Sequence, residues 1–349
     1  MKISLQPLLR PLQRRLGLGS IPQITQVARR RQQLAPEVRA VRPRAVFLDG
    51  QLERIEAWAF LDHHPGPDLL GGQEITHGAT IGYELDDALL LDGVLYCGGA
   101  EVHLQPRSQR VPQLVATEER AVGALYSSTV GNTYFGNWIL DDLPKYFLAE
   151  AHGPPVTSQP QKGGHYAAYE GALGLAPLRA QATHFRTLHY FDDVGQNPDK
   201  RRRFDQVSAR LAGSTPTSPH PGVFIVRGLV GERRLLRNEE DLAERLAGRR
   251  GFRILDPMQS NLSEIVAACR GAQVVMGVEG SALAHGALFL APGTCIFTLQ
   301  PPRRFCTVFK DVADRQGVKF AFVVGTPVGQ DFSVDADEVE RTLDLLTVL

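Results

Sequence analysis

Apolar and polar positions alternate regularly along the second half of the chain. Short runs rich in valine, isoleucine and phenylalanine are separated by longer stretches in which apolar residues recur every three or four positions. The short runs are typical of buried parallel strands, and the longer stretches are typical of amphipathic helices. The pattern predicts strands at 223–227, 252–255, 273–278, 295–299 and 319–324, and helices at 239–247, 262–270, 281–290 and 307–316.

Helix-start signals support this division. Asn238 stands three residues before Asp241, and Asn261 stands three residues before Glu264, each just ahead of an apolar run. A capping residue followed three positions later by an acid is typical of a helix N-terminus. Strict alternation of strand and helix predicts a doubly wound parallel sheet, in which all strands end at one edge and the ligand binds there.

That edge is predicted to bind a phosphate. The strand at 273–278 leads through a turn at Gly280 into a helix that Ser281 can cap, and the N–H groups of such a turn attract anions. A helix terminus contributes only about 0.3 to 1 kcal/mol to anion binding, so an arginine must help. Arg227 and Arg234 are the candidates. The alternative interpretation is a glycine turn that only reverses the chain.

Glu279 lies inside the same turn. A carboxylate repels a phosphate at contact distance, but it can accept hydrogen bonds from the hydroxyl groups of a ribose. A nucleotide is therefore a better predicted ligand than inorganic phosphate.

The first half of the chain has a different pattern. Between 45 and 104, short alternating runs are separated by Asp-Gly and Gly-Gly pairs, which predict a small antiparallel sheet. Beyond it, the pattern predicts a helix at 164–173, a strand at 183–190 and a helix at 199–211. The basic run at 200–203 is interpreted as a solvated helix face.

A helical pattern at 131–150 contains the candidate catalytic carboxylates. Asn137 and Asp141 are four residues apart, so they share one face of a helix. Pro144 removes a backbone donor and predicts a kink or the start of a second helical half. A carboxylate beside a kink is a candidate general base. The alternative is that Asp141 and Asp142 are ordinary charges of a first helical turn.

Charge and cysteine content narrow the function classes. Lysine plus arginine equals aspartate plus glutamate, 38 against 38, which argues against a general nucleic-acid binder. Residues 1–44 depart from this balance with ten basic residues and one acidic residue. This arm either contacts an anionic membrane surface as a peripheral segment or covers the protein body. The four cysteines lack metal-binding spacing, and no apolar stretch is long enough to span a bilayer, so we expect a cytoplasmic protein.

These observations predict an order of domains. A linker is expected at 213–222, where the sequence is GSTPTSPHPG. The expected parts are a basic arm at 1–44, an acceptor-side domain at 45–212, a nucleotide-binding domain at 223–330 and a C-terminal helix at 331–349.

Several ordered blocks resemble glycosyltransferase family 61. They are FIVRG at 224–228, ERRLLRNEEDLAERL at 232–246, VVMGVEGSALAHGALFLAPG at 274–293 and NWILDDLPKY at 137–146. The resemblance implies a GT-B fold, in which two Rossmann-like domains face a cleft. It also implies inverting, metal-independent transfer from a nucleotide-sugar donor, such as a UDP- or GDP-sugar, to a saccharide or lipid-linked saccharide hydroxyl. The pathway implied is cell-surface polysaccharide synthesis, including capsule, with no tightly bound cofactor.

The resemblance, together with the residues above, assigns site roles. Asp141, with Asp142 or Glu279 as a substitute, would take the proton of the acceptor hydroxyl. The full sets are: catalytic, Asp141 and Asp142; donor-binding, Arg227, Arg234, Asn238, Glu279, Gly280, Ser281 and His285; acceptor-side, Asn137, Trp138 and Lys145. Many family members have histidine where this chain has Asn137 and Glu279. The alternatives are a non-catalytic assembly protein of the same fold and a dinucleotide-dependent oxidoreductase, although the glycine fingerprint of the latter is missing after the strand at 223–227.

Overall fold

The computed structural model divides the chain into two compact units, each made of two chain segments. Unit 1 comprises Met1–Glu37 and Gly78–Phe204, and unit 2 comprises Val38–His77 and Asp205–Leu349. The structure describes residues 2–4, 21–59, 66–105, 115–213, 218–229 and 234–348.

Secondary structure elements are numbered in chain order. The strands are β1 (Lys2–Ser4), β2 (Arg30–Ala35), β3 (Val38–Val41), β4 (Glu74–His77), β5 (Thr80–Leu91), β6 (Val94–Cys97), β7 (Ala100–His103), β8 (Val115–Leu125), β9 (Pro155–Thr157), β10 (Leu178–Arg179), β11 (Ala182–Asp192), β12 (His220–Ile225), β13 (Phe252–Leu255), β14 (Ala272–Val278), β15 (Cys295–Gln300), β16 (Lys319–Val324), β17 (Thr326–Val328) and β18 (Asp331–Ser333). The α-helices are α1 (Gly66–Leu70), α2 (Thr129–Thr133), α3 (Phe135–Asn137), α4 (Leu143–Glu150), α5 (His165–Leu173), α6 (Pro198–Ala212), α7 (Glu239–Arg250), α8 (Leu262–Cys269), α9 (Ala284–Ala287), α10 (Val308–Gln316) and α11 (Ala336–Val348).

Unit 1 is built on a mixed sheet with the strand order β10-β9-β8-β11-β5-β6-β7, to which β1 adds beside β8 and β2 beside β5. Strands β10, β9, β8 and β11 run parallel, while β5, β6 and β7 pair antiparallel. The two hairpin turns are Asp92-Gly93 and Gly98-Gly99, all with positive φ. The Asp-Gly and Gly-Gly signals therefore correctly predicted the hairpins β5-β6-β7.

Unit 2 contains a parallel sheet with the strand order β13-β12-β14-β15-β16. All five strands predicted from the sequence are present, and the mixed α/β class is confirmed. Phe224, Met276, Phe297 and Val323 are fully or almost fully buried in its core. The capping box of Asn261 and Glu264 is also present, with bonds of 3.0 and 2.7 Å. The predicted C-terminal helix begins only at Ala336, after the hairpin β17-β18.

The helix predicted at 281–290 is much shorter in the structure. Ser281–Leu283 forms a 3₁₀ turn, and α9 adds only four residues. The small residue Gly286 lets this turn lie directly on the sheet, since a Cβ there would overlap Val275 and lie 2.8 Å from Ile225. In place of the long predicted helix, the structure has a short helical turn that packs closely on the sheet at Gly286. The dipole of this short helical turn is a weaker source of positive potential than that of the predicted helix.

Residues 38–77 belong to unit 2, not to the β section that follows them in the sequence. Val46 donates to the carbonyl of Phe320 on the edge strand β16 (2.8 Å), and Gln51 accepts from the N–H of Val324 (2.6 Å). Arg54 makes two 2.6 Å bonds to Glu338 of α11. The compact units therefore divide at 37/38 in this part of the chain, whereas the sequence predicted a domain boundary at 44/45, because the segment pairs with a sheet edge distant in the sequence.

Two predicted segments lie partly outside the described residues. They are the basic arm, of which 5–20 is not described, and the linker, of which 214–217 is not described. The described part of the arm is divided between the units, since β2 pairs with β5 and β3 pairs with β4. Among the described residues, no helix has the length and apolar character needed to cross a membrane.

Candidate functional site

Three arginine side chains converge at the carboxyl edge of the unit 2 sheet. Arg227 Nη1 and Arg234 Nε donate to the backbone carbonyl of Glu279, at 3.4 and 3.1 Å. The Glu279 carboxylate lies 3.2 Å from Arg234 Nη2 and 2.9 Å from Arg304 Nη1. We call Arg227, Arg234 and Arg304 the arginine cluster. Arg227 and Arg234 follow β12 and Arg304 follows β15, while Glu279 follows β14; the carboxyl ends of these parallel strands meet at this edge.

The turn after β14 fits against this cluster only because residue 280 is glycine. Gly280 has φ 146° and ψ −178°, a conformation that other residues rarely adopt. A Cβ at this position would overlap Arg227 Nη1 and lie 3.0 Å from Arg234 Nη2. The guanidinium of Arg227 thus lies directly against the backbone of the Gly280 turn, the point at which the sequence predicted a phosphate.

The loop that carries Arg227 is held by a carboxylate. Glu239, the first residue of α7, accepts from the N–H groups of Arg227 and Gly228, both at 2.9 Å. Burial raises the pKa of Glu239, and the two N–H donors and the charge of Arg227 act in the opposite direction. Glu239 therefore fixes the backbone from which the Arg227 side chain projects.

Electrostatics at the cluster favour an added anion. Burial, and then the charge of Arg234, lower the pKa of Arg227 to about 10, so this buried guanidinium stays protonated at neutral pH. Glu279 and Glu239 oppose this shift. The charge of Arg304 also acts to lower the pKa of Arg227, so the like charges of the three arginines repel one another. A bound anion would lower the repulsion between the arginines.

The structure also places the three remaining predicted donor residues, Asn238, His285 and Ser281. The amide of Asn238 is bonded to the backbone of Val334, donating at 2.8 Å and accepting at 3.2 Å, so it holds the chain ahead of α11. The sequence predicted that the Asn238 side chain would cap α7, but it makes no capping hydrogen bond to that helix. His285 lies in α9 with only 2% of its surface exposed. Ser281 begins the 3₁₀ turn and is half-buried.

The candidate base lies in unit 1, within an irregular helical segment. Trp138–Asp142 forms a π-helical turn between α3 and α4, closed by the N–H of Leu143 donating to the carbonyl of Trp138. Pro144 stands in the first turn of α4, so the predicted start of a second helical half at this proline is confirmed. Single π turns of this kind occur frequently at functional sites.

Asp141 is the accessible carboxylate of this turn. Its side chain is 29% exposed, and Lys200 Nζ lies 2.6 Å from its Oδ1. Asn137 Nδ2 donates to its Oδ2 at 3.3 Å, so the two residues share a helix face as predicted. The interpretation of 200–203 as a solvated face is wrong for Lys200 and Arg203, which are 2% and 4% exposed. Both turn inward, where each meets a carboxylate.

Asp142 has a different environment, although it is adjacent in sequence. It has no exposed surface, accepts from the N–H of Ser128 at 3.0 Å and lies 3.3 Å from Lys145 Nζ. Burial raises the pKa of Asp142, and the charge of Lys145 opposes the shift. A Cβ at Gly131 would overlap the Asp142 carboxylate. This enclosed pair holds α2 to α4, and neither Asp142 nor Lys145 offers the open position expected from the sequence.

Trp138, predicted to lie on the acceptor side, is buried by aromatic packing. It is 2% exposed, and its ring lies 4.7 Å from that of Tyr166 and 5.9 Å from that of Phe135. The aromatic residues of α3 and α5 enclose it. Its side chain fixes the start of the π turn from which Asp141 projects.

Residues 135–297 match the family model described as Glycosyltransferase 61. The matched segment contains Asp141, Lys200, Arg227 and the Gly280 turn. The match covers less than half of the 349 residues and supports the resemblance to glycosyltransferase family 61. The family consists of glycosyltransferases, which bind a sugar donor and an acceptor. No curated protein matches the chain.

Three residues that sequence reasoning missed now stand in or beside these sites. Glu239 and Lys200 lie inside the family 61 segment, and Arg304 lies seven residues beyond its last residue, 297. The sheet-edge argument that selected Arg227 applies equally to Arg304, because residue 304 follows β15. Nothing in the local sequence distinguishes Lys200 from the solvated lysines and arginines typical of a helix start.

Proposed function

We propose that this chain is a family 61 glycosyltransferase that transfers a sugar from a nucleoside diphosphate sugar to a hydroxyl of a saccharide or lipid-linked saccharide, with inversion at the anomeric carbon. The observation that carries the proposal is the convergence of the arginine cluster on the Gly280 turn. The match of residues 135–297 to a glycosyltransferase family model supports the reaction class.

In this proposal, the arginine cluster binds the diphosphate. Negative charge develops on the leaving diphosphate as the glycosidic bond breaks, and donors already in place stabilise it without reorganisation. Guanidinium groups suit phosphate because they donate two parallel hydrogen bonds. An incoming diphosphate competes with the Glu279 carboxylate for Arg234 and Arg304. Once displaced, that carboxylate can accept from ribose hydroxyls, the role predicted for it from the sequence.

Asp141 is proposed as the general base. It accepts the proton of the acceptor hydroxyl while the oxygen attacks the anomeric carbon from the face opposite the diphosphate. Its partial exposure supports this role over Asp142, which an acceptor cannot reach. The GT-B-like arrangement, metal independence, the polysaccharide pathway, the cytoplasmic location and membrane contact by the basic arm stay predictions.

The donor site can be tested by nucleotide binding. Thermal-shift screening against UDP-, GDP-, CMP- and dTDP-sugars should find a stabilising donor, and Arg227→Ala should weaken its binding by about 10- to 100-fold, the value of one charge-assisted hydrogen bond. Arg315→Ala is the matched control, since it also removes a buried arginine, 4% exposed, from α10 of unit 2. We expect the control to bind as the wild type does and Arg227→Ala to lose turnover while remaining folded.

Other results would contradict the proposal. Unchanged binding and transfer in folded Arg227→Ala would remove the donor site. Absence of binding by the wild type to every nucleotide-sugar would favour the non-catalytic assembly protein, and a nicotinamide cofactor retained on purification would favour the oxidoreductase.

A further inference from the structure

The ammonium group of Lys200 is buried against the candidate base. Its Nζ lies 2.6 Å from Asp141 Oδ1 and donates to the carbonyl of Asp193 at 3.1 Å. We propose that Lys200 is a positioning residue, which holds the Asp141 carboxylate in the orientation needed to take a proton from the acceptor. This inference rests on the proposed function of Asp141.

The backbone of Lys200 is fixed before its side chain reaches Asp141. Asn197 Oδ1 accepts from the N–H of Lys200 at 3.0 Å, in the first turn of α6. The amide of Asn197 also donates to the carbonyl of Gly78 and to Thr80 Oγ1, both at 3.0 Å. The start of α6 is therefore hydrogen-bonded to the start of β5, and the Lys200 side chain projects from a fixed backbone.

The second acceptor of the ammonium group is fixed as well. The Asp193 carboxylate receives bonds of 2.9 and 2.7 Å from Arg203 and one of 2.8 Å from Thr80. Arg203 also lies 3.0 Å from Asp199 and donates to the carbonyl of Pro144 at 3.4 Å. Lys200 thus bridges a rigid loop after β11 and the π turn that carries Asp141.

Lys200 and Asn137 each contact one carboxylate oxygen of Asp141, and the contact from Lys200 is the stronger. The bond from Asn137 to Oδ2 is long and neutral, at 3.3 Å, whereas the ion pair at Oδ1 is short and charged. Charge-assisted hydrogen bonds are roughly twice as strong as neutral ones. Removing the ammonium group would therefore take away the short, charged contact that orients Oδ1 of Asp141. A base displaced by about 1 Å can lose about 100-fold in rate.

The ion pair between Lys200 and Asp141 differs from the neighbouring ion pair between Lys145 and Asp142, and the difference favours a positioning role over a purely stabilising one. Lys145 and Asp142 form an ion pair on the same helical segment, but Asp142 is completely enclosed. Asp141 keeps 29% of its side chain exposed while its lysine is buried. An ion pair in which only the carboxylate reaches the surface is arranged to present that carboxylate.

The test measures release of the nucleotide from whichever sugar of the UDP, GDP, CMP and dTDP panel the wild type hydrolyses, with water as the acceptor. Lys200→Met should lower kcat by about 10- to 100-fold and leave the donor KM within about twofold of the wild type. Lys310→Met is the matched control, because Lys310 is equally buried and paired with Asp314, but lies in unit 2. It should keep wild-type kcat.

A double variant tests whether Lys200 acts through Asp141. Adding Lys200→Met to Asp141→Asn should cause no further loss of kcat, since the lysine then has no base to position. Should Lys200→Met not fold, Lys200→Gln keeps a donor for the Asp193 carbonyl and is judged by the same ratio.

The outcomes distinguish failure of the positioning role of Lys200 from failure of the proposal that Asp141 is the general base. If Asp141→Asn loses turnover but folded Lys200→Met keeps kcat within about twofold of the wild type, the positioning role is overturned and the base stands. If Asp141→Asn itself retains turnover, the base assignment fails, and the role of Lys200 fails with it.

Discussion

Replacing Gly280 with alanine tests the geometry of the donor site directly. The residue has φ 146° and ψ −178°, a region that is essentially restricted to glycine and costs other residues about 1 to 3 kcal/mol. The new Cβ would also displace the guanidinium of Arg227 and press on that of Arg234 at 3.0 Å. A charge-assisted hydrogen bond is worth about 1.5 to 3 kcal/mol. We expect Gly280→Ala to lower the free energy of unfolding by about 2 to 4 kcal/mol after the turn relaxes.

Thermal unfolding followed by circular dichroism measures this loss. For a unit of this size, about 1 kcal/mol corresponds to roughly 2 to 4 °C, so the midpoint should fall by roughly 4 to 16 °C. Calorimetric titration with the nucleotide-sugar found in the thermal-shift screen should show weakened binding in the same variant, because the arginine cluster no longer fits against the turn. Gly248→Ala is the control. Gly248 is exposed within α7 with open space around it, so alanine there should raise stability by about 0.5 to 1 kcal/mol.

Two results would refute the reasoning. An unchanged unfolding midpoint in Gly280→Ala would mean that the turn does not need its glycine conformation. A lowered midpoint with unchanged affinity for that nucleotide-sugar would mean that the cluster and the turn form a structural contact and not the donor site.

The remaining predictions concern the edge of unit 2 and the cysteines. The bond from Arg54 lowers the pKa of Glu338 below its ordinary 4.5, so the pair stabilises the fold above that pH and the contribution is lost as pH falls through the lowered value. Arg54→Gln should therefore lower the unfolding midpoint at pH 7, and a pH series should show this difference shrinking below 4.5; a difference that persists in acid would contradict it. Burial raises the pKa of all four cysteines, to about 12 for Cys269 and Cys306, so iodoacetamide should modify them quickly only after denaturation, as measured by mass spectrometry. Rapid alkylation of the native protein would show that these residues are not enclosed.

Local periodicity was sufficient to predict most elements of the fold. The five parallel strands of unit 2 are visible as apolar runs, because a strand buried on both faces has apolar side chains at successive positions. The hairpins β5-β6-β7 are visible as Asp-Gly and Gly-Gly pairs, because their turns require positive φ. The meeting of Arg227 with the Gly280 turn also follows from the sequence, since parallel strands end at a common edge.

Only the tertiary structure decided which side chains these elements enclose. Asp141 and Asp142 are adjacent and chemically identical, yet one is partly exposed and the other is completely buried, because successive side chains of a helical turn point toward different neighbours. Lys200 has the local sequence of a solvated helix start and instead reaches a carboxylate 59 residues away in the chain. Residues 38–77 join a sheet formed by strands that begin more than a hundred residues later. Periodicity records which way a side chain faces within its own element, whereas these contacts depend on which elements pack together.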